Sequence, residues 1–342
     1  MKAFRILSLI SILTVLLAAC SAASSVNSTP TAAPEATVAA VKPFRVAVIM
    51  PSAVNDLAFS QSMYDALVRV QEEMGGPEKM DFVYSQDMFV LDDAETALRV
   101  YASRGYDLVI AHGSQYGPLV QKVAPEFPKT SFAWGTTAET FNLPNVFAYQ
   151  AAAEEGGYVN GVLAAALTKN KTIGVIGPLE VGDAKLYVDG FKAGVAATNP
   201  DIQVDVNYIG SFSDVVKASE AAANYISQGA DVMTGTAQMV VGATNKAKDS
   251  NVLWFGTQSN QTSLAPKNAV ASQVYHWEVA LKKMIAKIQS GTLGGDTFTI
   301  NLANGGEVIE YNPDYSIPHD AKVLGDVTVQ RISSGSLKIS IP

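Results

Sequence analysis

The residues best equipped for chemistry lie in short polar stretches, each placed directly after an apolar run. Asn55, Asp56, Phe59, Ser60 and Gln61 follow the run Arg45–Met50, and His112, Ser114, Gln115 and Tyr116 follow Leu108–Ile110. Phe212 and Asp214 sit in Gly210–Asp214, Gln238 in Thr236–Gln238 and Gln258 in Thr257–Gln261, while Tyr275, His276 and Trp277 close the series. The collection is rich in amides, hydroxyls and aromatics and poor in charge. An amide donates and accepts at once, so it can read the edge of a heterocycle. Facing aromatic rings can sandwich a flat ligand, each pair adding about 0.5–1.5 kcal/mol beyond burial. The candidate ligand contacts are therefore Asn55, Asp56, Phe59, Ser60, His112, Ser114, Gln115, Phe212, Asp214, Gln238, Gln258 and Trp277. Simpler roles stay open for several of them. Phe59 and Phe212 can pack beneath their own loops, His112 can be an ordinary hydrogen-bonded residue, and Asp214 can cap the helix after it.

Covalent and metal chemistry have little to work with. The chain has three histidines and one cysteine. It contains no Gly-x-Ser-x-Gly elbow, no His-Glu-x-x-His and no glycine-rich phosphate loop. Ser114 near His112 is the best nucleophile arrangement present, and it lacks the rest of such a motif. The expectation is a binding protein rather than an enzyme, with no cofactor and no metal site.

The polar stretches need a scaffold, and the apolar runs supply it. Arg45–Met50 is short, apolar and bounded by Pro51, as a buried strand should be. Met63, Leu67 and Val70 then recur at helical spacing. Strand, loop and helix make the opening of a βα unit, and its loop leaves the carboxyl end of the strand, where open α/β sheets bind ligands. The pattern repeats. Phe44–Pro51 parallels Lys171–Pro178, Phe82–Tyr84 parallels Val204–Ile209, and Gly105–Ile110 parallels Gly229–Met233. Ser131–Gly135 parallels Val252–Gly256, and Asn145–Tyr149 parallels Ala269–Val274. Trp134 and Trp254 fall inside the fourth strands and read as core. Strands alternating with helices predict parallel sheets covered on both faces. Two such halves predict two α/β lobes facing one another.

The expected boundaries are 43–150 plus about 276–296 for the first lobe, and 151–275 plus about 297–342 for the second. Helices over Glu155–Leu167 and Trp277–Ile288 carry the chain from lobe to lobe. Phe298–Leu302 and Val308–Tyr311 alternate as strands do, with Asn304-Gly305-Gly306 as a turn between them. Leu337–Ile341 reads either as an edge strand or as a surface segment.

The beginning of the chain is of another kind. Lys2 and Arg5 precede an apolar run that ends Leu17-Ala18-Ala19-Cys20, the pattern of a secretory signal peptide over 1–19. Residues 20–42 are Ser, Ala, Thr, Pro and Val with little else, a composition suited to a disordered tether. The formal charge of −8 and the want of any basic run argue against nucleic acid as a partner.

The chain resembles the basic membrane protein (PnrA-like) family of lipoprotein substrate-binding proteins of ABC importers. The matching pieces are Leu17–Cys20, which resembles a lipobox, and Pro51-x-x-x-Asn55-Asp56-x-x-Phe59-Ser60-Gln61. To these add Val123–Pro128, Glu155-x-Gly157-Tyr158-x-x-Gly161, Gly190-Phe191-x-x-Gly194, Gly210–Asp214 and Gln228–Val232. The resemblance implies a type I periplasmic-binding-protein fold of two parallel-sheet lobes with crossover hinges. It implies lipidation of Cys20, a monomer held at the membrane facing outward, and delivery of a purine nucleoside or base to an ABC permease. Carried over by position, Phe59 and Phe212 would clamp the base, with Asp56 or Asn55 near its polar edge. The chain departs from the nucleoside binders at Gln258-Ser259-Asn260-Gln261, where they favour acids for the ribose, and at Tyr275, where they favour lysine. His276-Trp277 matches a branch associated with a free base such as adenine. A neutral, amide-lined pocket follows. Two rival functions share this fold: a receptor that reports ligand to a membrane signalling protein, and a sugar binder, which would need several Asp, Asn and Arg around its cleft.

Overall fold

The computed structural model describes residues 42–342, which form one compact unit. The expected leader, Cys20 and the tether as far as residue 41 lie outside the described residues.

The apolar runs are strands. In the first half they are β1 (Phe44–Ile49), β2 (Met80–Ser85), β3 (Leu108–His112), β4 (Ser131–Gly135) and β5 (Val146–Ala151). In the second they are β6 (Thr172–Gly177), β7 (Gln203–Tyr208), β8 (Val232–Gly235), β9 (Leu253–Gly256) and β10 (Ala269–Tyr275). Two later strands follow, β11 (Thr297–Ile300) and β12 (Glu307–Tyr311). They assemble into two six-stranded sheets, ordered β11-β5-β4-β3-β1-β2 and β12-β10-β9-β8-β6-β7. Every pairing is parallel except β10 with β12. The central strands β1, β3 and β8 are almost wholly buried, as parallel strands covered by helices on both faces must be.

The first sheet carries α1 (Phe59–Glu73), α2 (Leu91–Ser103), α3 (Gly117–Val123) and α8 (Glu278–Gln289). The second carries α4 (Ala153–Leu167), α5 (Gly182–Thr198), α6 (Val215–Ser227), α7 (Val240–Asp249) and α9 (His319–Ser333). The chain therefore passes between lobes after β5, after β10 and between β11 and β12. Trp254 is fully buried, whereas Trp134 is partly exposed and stacks on Phe141 at 4.9 Å.

Two expectations about the tail need correction. Phe298–Leu302 and Val308–Tyr311 are not arms of one hairpin: β11 pairs with β5 in the first sheet and β12 with β10 in the second. The Asn304-Gly305-Gly306 turn is thus a third lobe crossing, and the second lobe starts again near 301 rather than 297. Alternation fixes which residues face inward, but not which sheet edge a strand joins. Leu337–Ile341 is irregular surface chain, and α9 precedes it.

The motif glycines join α4 to α5. A Cβ on Gly161 would stand 2.1 Å from the carbonyl oxygen of Phe191, and one on Gly194 would stand 2.1 Å from that of Tyr158. Gly157 and Gly190 meet backbone at 2.4 and 2.3 Å in the same way. The helix axes approach so closely that only hydrogen fits between them. Among the described residues no helix is long and apolar enough to cross a membrane.

Candidate functional site

A narrow cleft lies between the carboxyl ends of the two sheets, with only about 30 Å³ of room for the centre of a water-sized sphere. The first lobe lines it with Pro51, Phe59, Phe89, Gly113, Ser114, Gln115 and Thr136, and the second with Asp183, Ala184, Phe212, Ala237, Gln238 and Gln258. Each comes from a loop, or the first turn of a helix, that follows a strand. This is the position the βα pattern predicts.

Six expected residues meet here: Phe59, Ser114, Gln115, Phe212, Gln238 and Gln258. The side chain of Gln115 folds back over Gly113, where a Cβ would stand 2.7 Å from its Oε1. Phe59 is 8% exposed and gives one face to the ring of His112, with centroids 3.9 Å apart and planes 9° from parallel. Phe212 approaches from the opposite lobe, its carbonyl accepting from the Met239 amide at 3.0 Å. Gln258 and Ala237 both hold left-handed backbone, with φ of 69° and 72°. Such strain in non-glycine residues persists where surrounding structure enforces it and gathers at binding sites.

The other six expected residues stand elsewhere, for physical reasons. Asn55 is exposed on its loop. Asp56 is spent on its own loop: its Oδ1 accepts from the amides of Ala58 and Gln61, and its Oδ2 from the Ser60 amide and the Ser52 hydroxyl. Burial pushes its carboxyl up, and those bonds oppose the rise. Ser60 is buried against Ser52, with hydroxyl oxygens 2.6 Å apart. Asp214 caps α6 by accepting from the Lys217 amide at 2.9 Å. Trp277 is fully buried and donates its indole N–H to Ser62 at 2.9 Å.

His112 is fully buried behind Phe59. Its Nε2 lies 3.2 Å from the Phe59 carbonyl and its Nδ1 2.8 Å from the Tyr149 hydroxyl. A carbonyl only accepts, so Nε2 carries the proton and Nδ1 accepts from Tyr149. Burial pushes the imidazole down to about 3, so it is neutral in any ordinary medium. Trp277 meets the rings of His112, Tyr149 and Tyr275 edge-on at 5.7, 5.3 and 5.1 Å. His112 and Trp277 are therefore backing for Phe59 rather than ligand contacts.

Asp183, Thr136 and Phe89 were not among the expected contacts. Asp183 stands in the first turn of α5 and is, among the described residues, the one acidic side chain lining the cleft. It accepts from the Thr136 hydroxyl of the other lobe at 3.1 Å and from the Tyr275 hydroxyl at 3.3 Å. Burial raises its carboxyl, and the hydrogen bonds from Thr136, Tyr275 and Gln258 oppose that rise. Two further bonds cross between lobes nearby. Ser259 Oγ donates to the Ala58 carbonyl at 2.8 Å, and Gln261 Nε2 donates to the Leu57 carbonyl at 3.1 Å. Among the described residues no group of His, Cys, Asp and Glu is arranged to hold a metal ion.

Comparison with known proteins identifies a family and several relatives. The family described as ABC transporter substrate-binding protein PnrA-like (Bmp) matches residues 44–340. A purine-binding protein of Brucella abortus is 28% identical over 283 residues, covering 83% of this chain and 79% of that protein. The ABC transporter nucleoside-binding protein BmpA of Lactococcus lactis is 26% identical over 272 residues, covering 74% and 77%. Among solved structures, a solute-binding protein of an ABC transporter system from Conexibacter woesei superposes with a TM-score of 0.71. It is 25% identical and covers 87% of this chain and 98% of its own.

Proposed function

The chain belongs to the PnrA-like family of ABC transporter substrate-binding proteins, and from that premise we propose that it captures a purine by closing its two lobes. The ligand is a nucleobase or nucleoside, with a free base such as adenine favoured. The carrying observation is that Phe59 and Phe212, from opposite lobes, line one cleft whose remaining polar groups are amides, hydroxyls and one carboxylate. Two rings supply faces for a planar solute, and the amides supply partners for its edge. No lysine or arginine lines the cleft, which suits an uncharged ligand. A sugar reader would need several Asp, Asn and Arg around the ring, and this lining offers one Asp and no Arg.

Closure is a hinge motion at the three crossings. The closed form hands its solute to a membrane permease. Lipid on Cys20 would hold the protein outside the membrane, and the tether through residue 42 would give it reach. The test is a thermal-shift screen of the protein against nucleobases, nucleosides and sugars. Binding to the folded form alone raises the melting temperature by mass action. The expected outcome is a shift with adenine or a related base and none with sugars. A shift with sugars alone overturns the reading.

A further inference from the structure

Resting on the purine reading, we propose that Asp183 and Gln258 together select a purine that carries an exocyclic primary amino group, each accepting one of its two N–H bonds. The argument starts with an unsatisfied atom. Gln258 is 2% exposed and lines the cleft, yet its Oε1 has no partner among the described residues. A buried acceptor left unpaired is costly, so its place in a ligand cleft needs a donor from outside the chain. The Gln258 amide also lies close enough to the Asp183 carboxyl to oppose the rise in its pKa. Asp183 already accepts from two hydroxyls, and the Gln258 amide turns its NH₂ toward it as a third donor. That orients the amide and leaves Oε1 as an unpartnered acceptor in a residue of the cleft wall.

Asp183 offers acceptor capacity at the same end. Its carboxylate has roughly four lone-pair positions. Thr136 Oγ1 donates to one oxygen and Tyr275 Oη to the other. Neither bond exhausts the carboxylate. Asp183 stands in the first turn of α5, where backbone N–H groups favour an anion. The lining thus sets two acceptors side by side, from α5 and from the β9–β10 loop. A primary amino group presents two N–H bonds in one plane and meets both. A ring nitrogen lone pair or an oxo group would meet only repulsion there. Thr136 belongs to the opposite lobe, so the carboxylate that reads the amino group also bonds across the cleft.

The test is calorimetric titration of the protein and its Asp183→Asn variant with adenine, hypoxanthine and unsubstituted purine. Wild type should bind adenine more tightly than unsubstituted purine. Asp183→Asn should weaken adenine about 10- to 150-fold, the range of a hydrogen bond to a charged group, and change unsubstituted purine little. Gln258→Leu, in a different element, should show the same selective loss and serves if Asp183→Asn fails to fold. Equal affinity of wild type for adenine and purine overturns the proposal, as does equal weakening of both by the variants. Tightest binding of hypoxanthine overturns it too, while leaving the purine reading intact. Failure of wild type to bind any of the three overturns both.

Discussion

The ring of Phe59 lies flat on the ring of His112, with centroids 3.9 Å apart and planes 9° from parallel. One face of the phenyl group is thereby fixed, and the other is offered to the cleft. Phe59→Ala should weaken purine binding by about 1–3 kcal/mol, the usual worth of stacking one base on one ring. Phe212→Ala should cost a similar amount, since it supplies the opposite face. Both variants should keep their unliganded fold. Calorimetric titration with adenine measures the loss, and unchanged affinity in both variants excludes a two-ring clamp.

The imidazole beneath that ring sets an acid limit on stability. His112 titrates near 3 in the folded protein against 6.5 for an unperturbed side chain. Between those values the unfolded chain binds a proton that the folded chain refuses. Stability from this group is therefore complete above 6.5 and falls as pH drops toward 3. The slope is at most about 1.4 kcal/mol per pH unit for one proton. His112→Asn should be less stable at neutral pH, yet lose less on acidification. Urea unfolding at pH 7, 6 and 5 checks this, and parallel decline in both proteins refutes it.

Gly161 and Gly194 let α4 and α5 touch backbone to backbone. Alanine in place of an exposed helix glycine would stabilise by about 1 kcal/mol through propensity. Here the added carbon would stand 2.1 Å from a carbonyl oxygen, and backbone cannot yield as a flexible side chain does. Gly161→Ala and Gly194→Ala should each destabilise by about 1–3 kcal/mol, the usual cost of overpacking. Thermal melting measures the cost, and a raised melting temperature in either variant refutes the close-packing account.

These glycines mark the reach of sequence reading. Ten strands were legible because apolar runs with turn residues between them recur twice in one order. The loops that would face the cleft followed from strand direction alone. Side-chain direction did not. Asp56 lies in the expected loop but turns its carboxylate onto three amides of that loop, because a short acidic side chain before a helix satisfies free N–H groups. His112 and Trp277 were recognisable as unusual, yet nothing in their spacing said that they would back Phe59. Asp183 was missed because one acid in the first turn of a helix looks like any helix start. The clue available was Gly182, a left-handed residue with φ of 53° that sets Asp183 beside Thr136.

The bonds from Ser259 to the Ala58 carbonyl and from Gln261 to the Leu57 carbonyl join the lobes without touching the cleft. Bonds of this kind favour the closed arrangement by about 0.5–1.5 kcal/mol each. A ligand that binds the closed arrangement binds more weakly when that arrangement is less populated, whatever its own contacts. Gln261 is a poor target, because its Oε1 also accepts from the buried Trp254 indole at 2.9 Å. Ser259→Ala removes one crossing bond and little else. It should weaken every ligand by the same factor, about 2- to 13-fold, and raise dissociation rates rather than lower association rates. Stopped-flow measurement with two ligands of different affinity separates the cases. Unequal factors would mean that Ser259 acts on the ligand, and an unchanged dissociation rate would mean that the bond does not hold the lobes together.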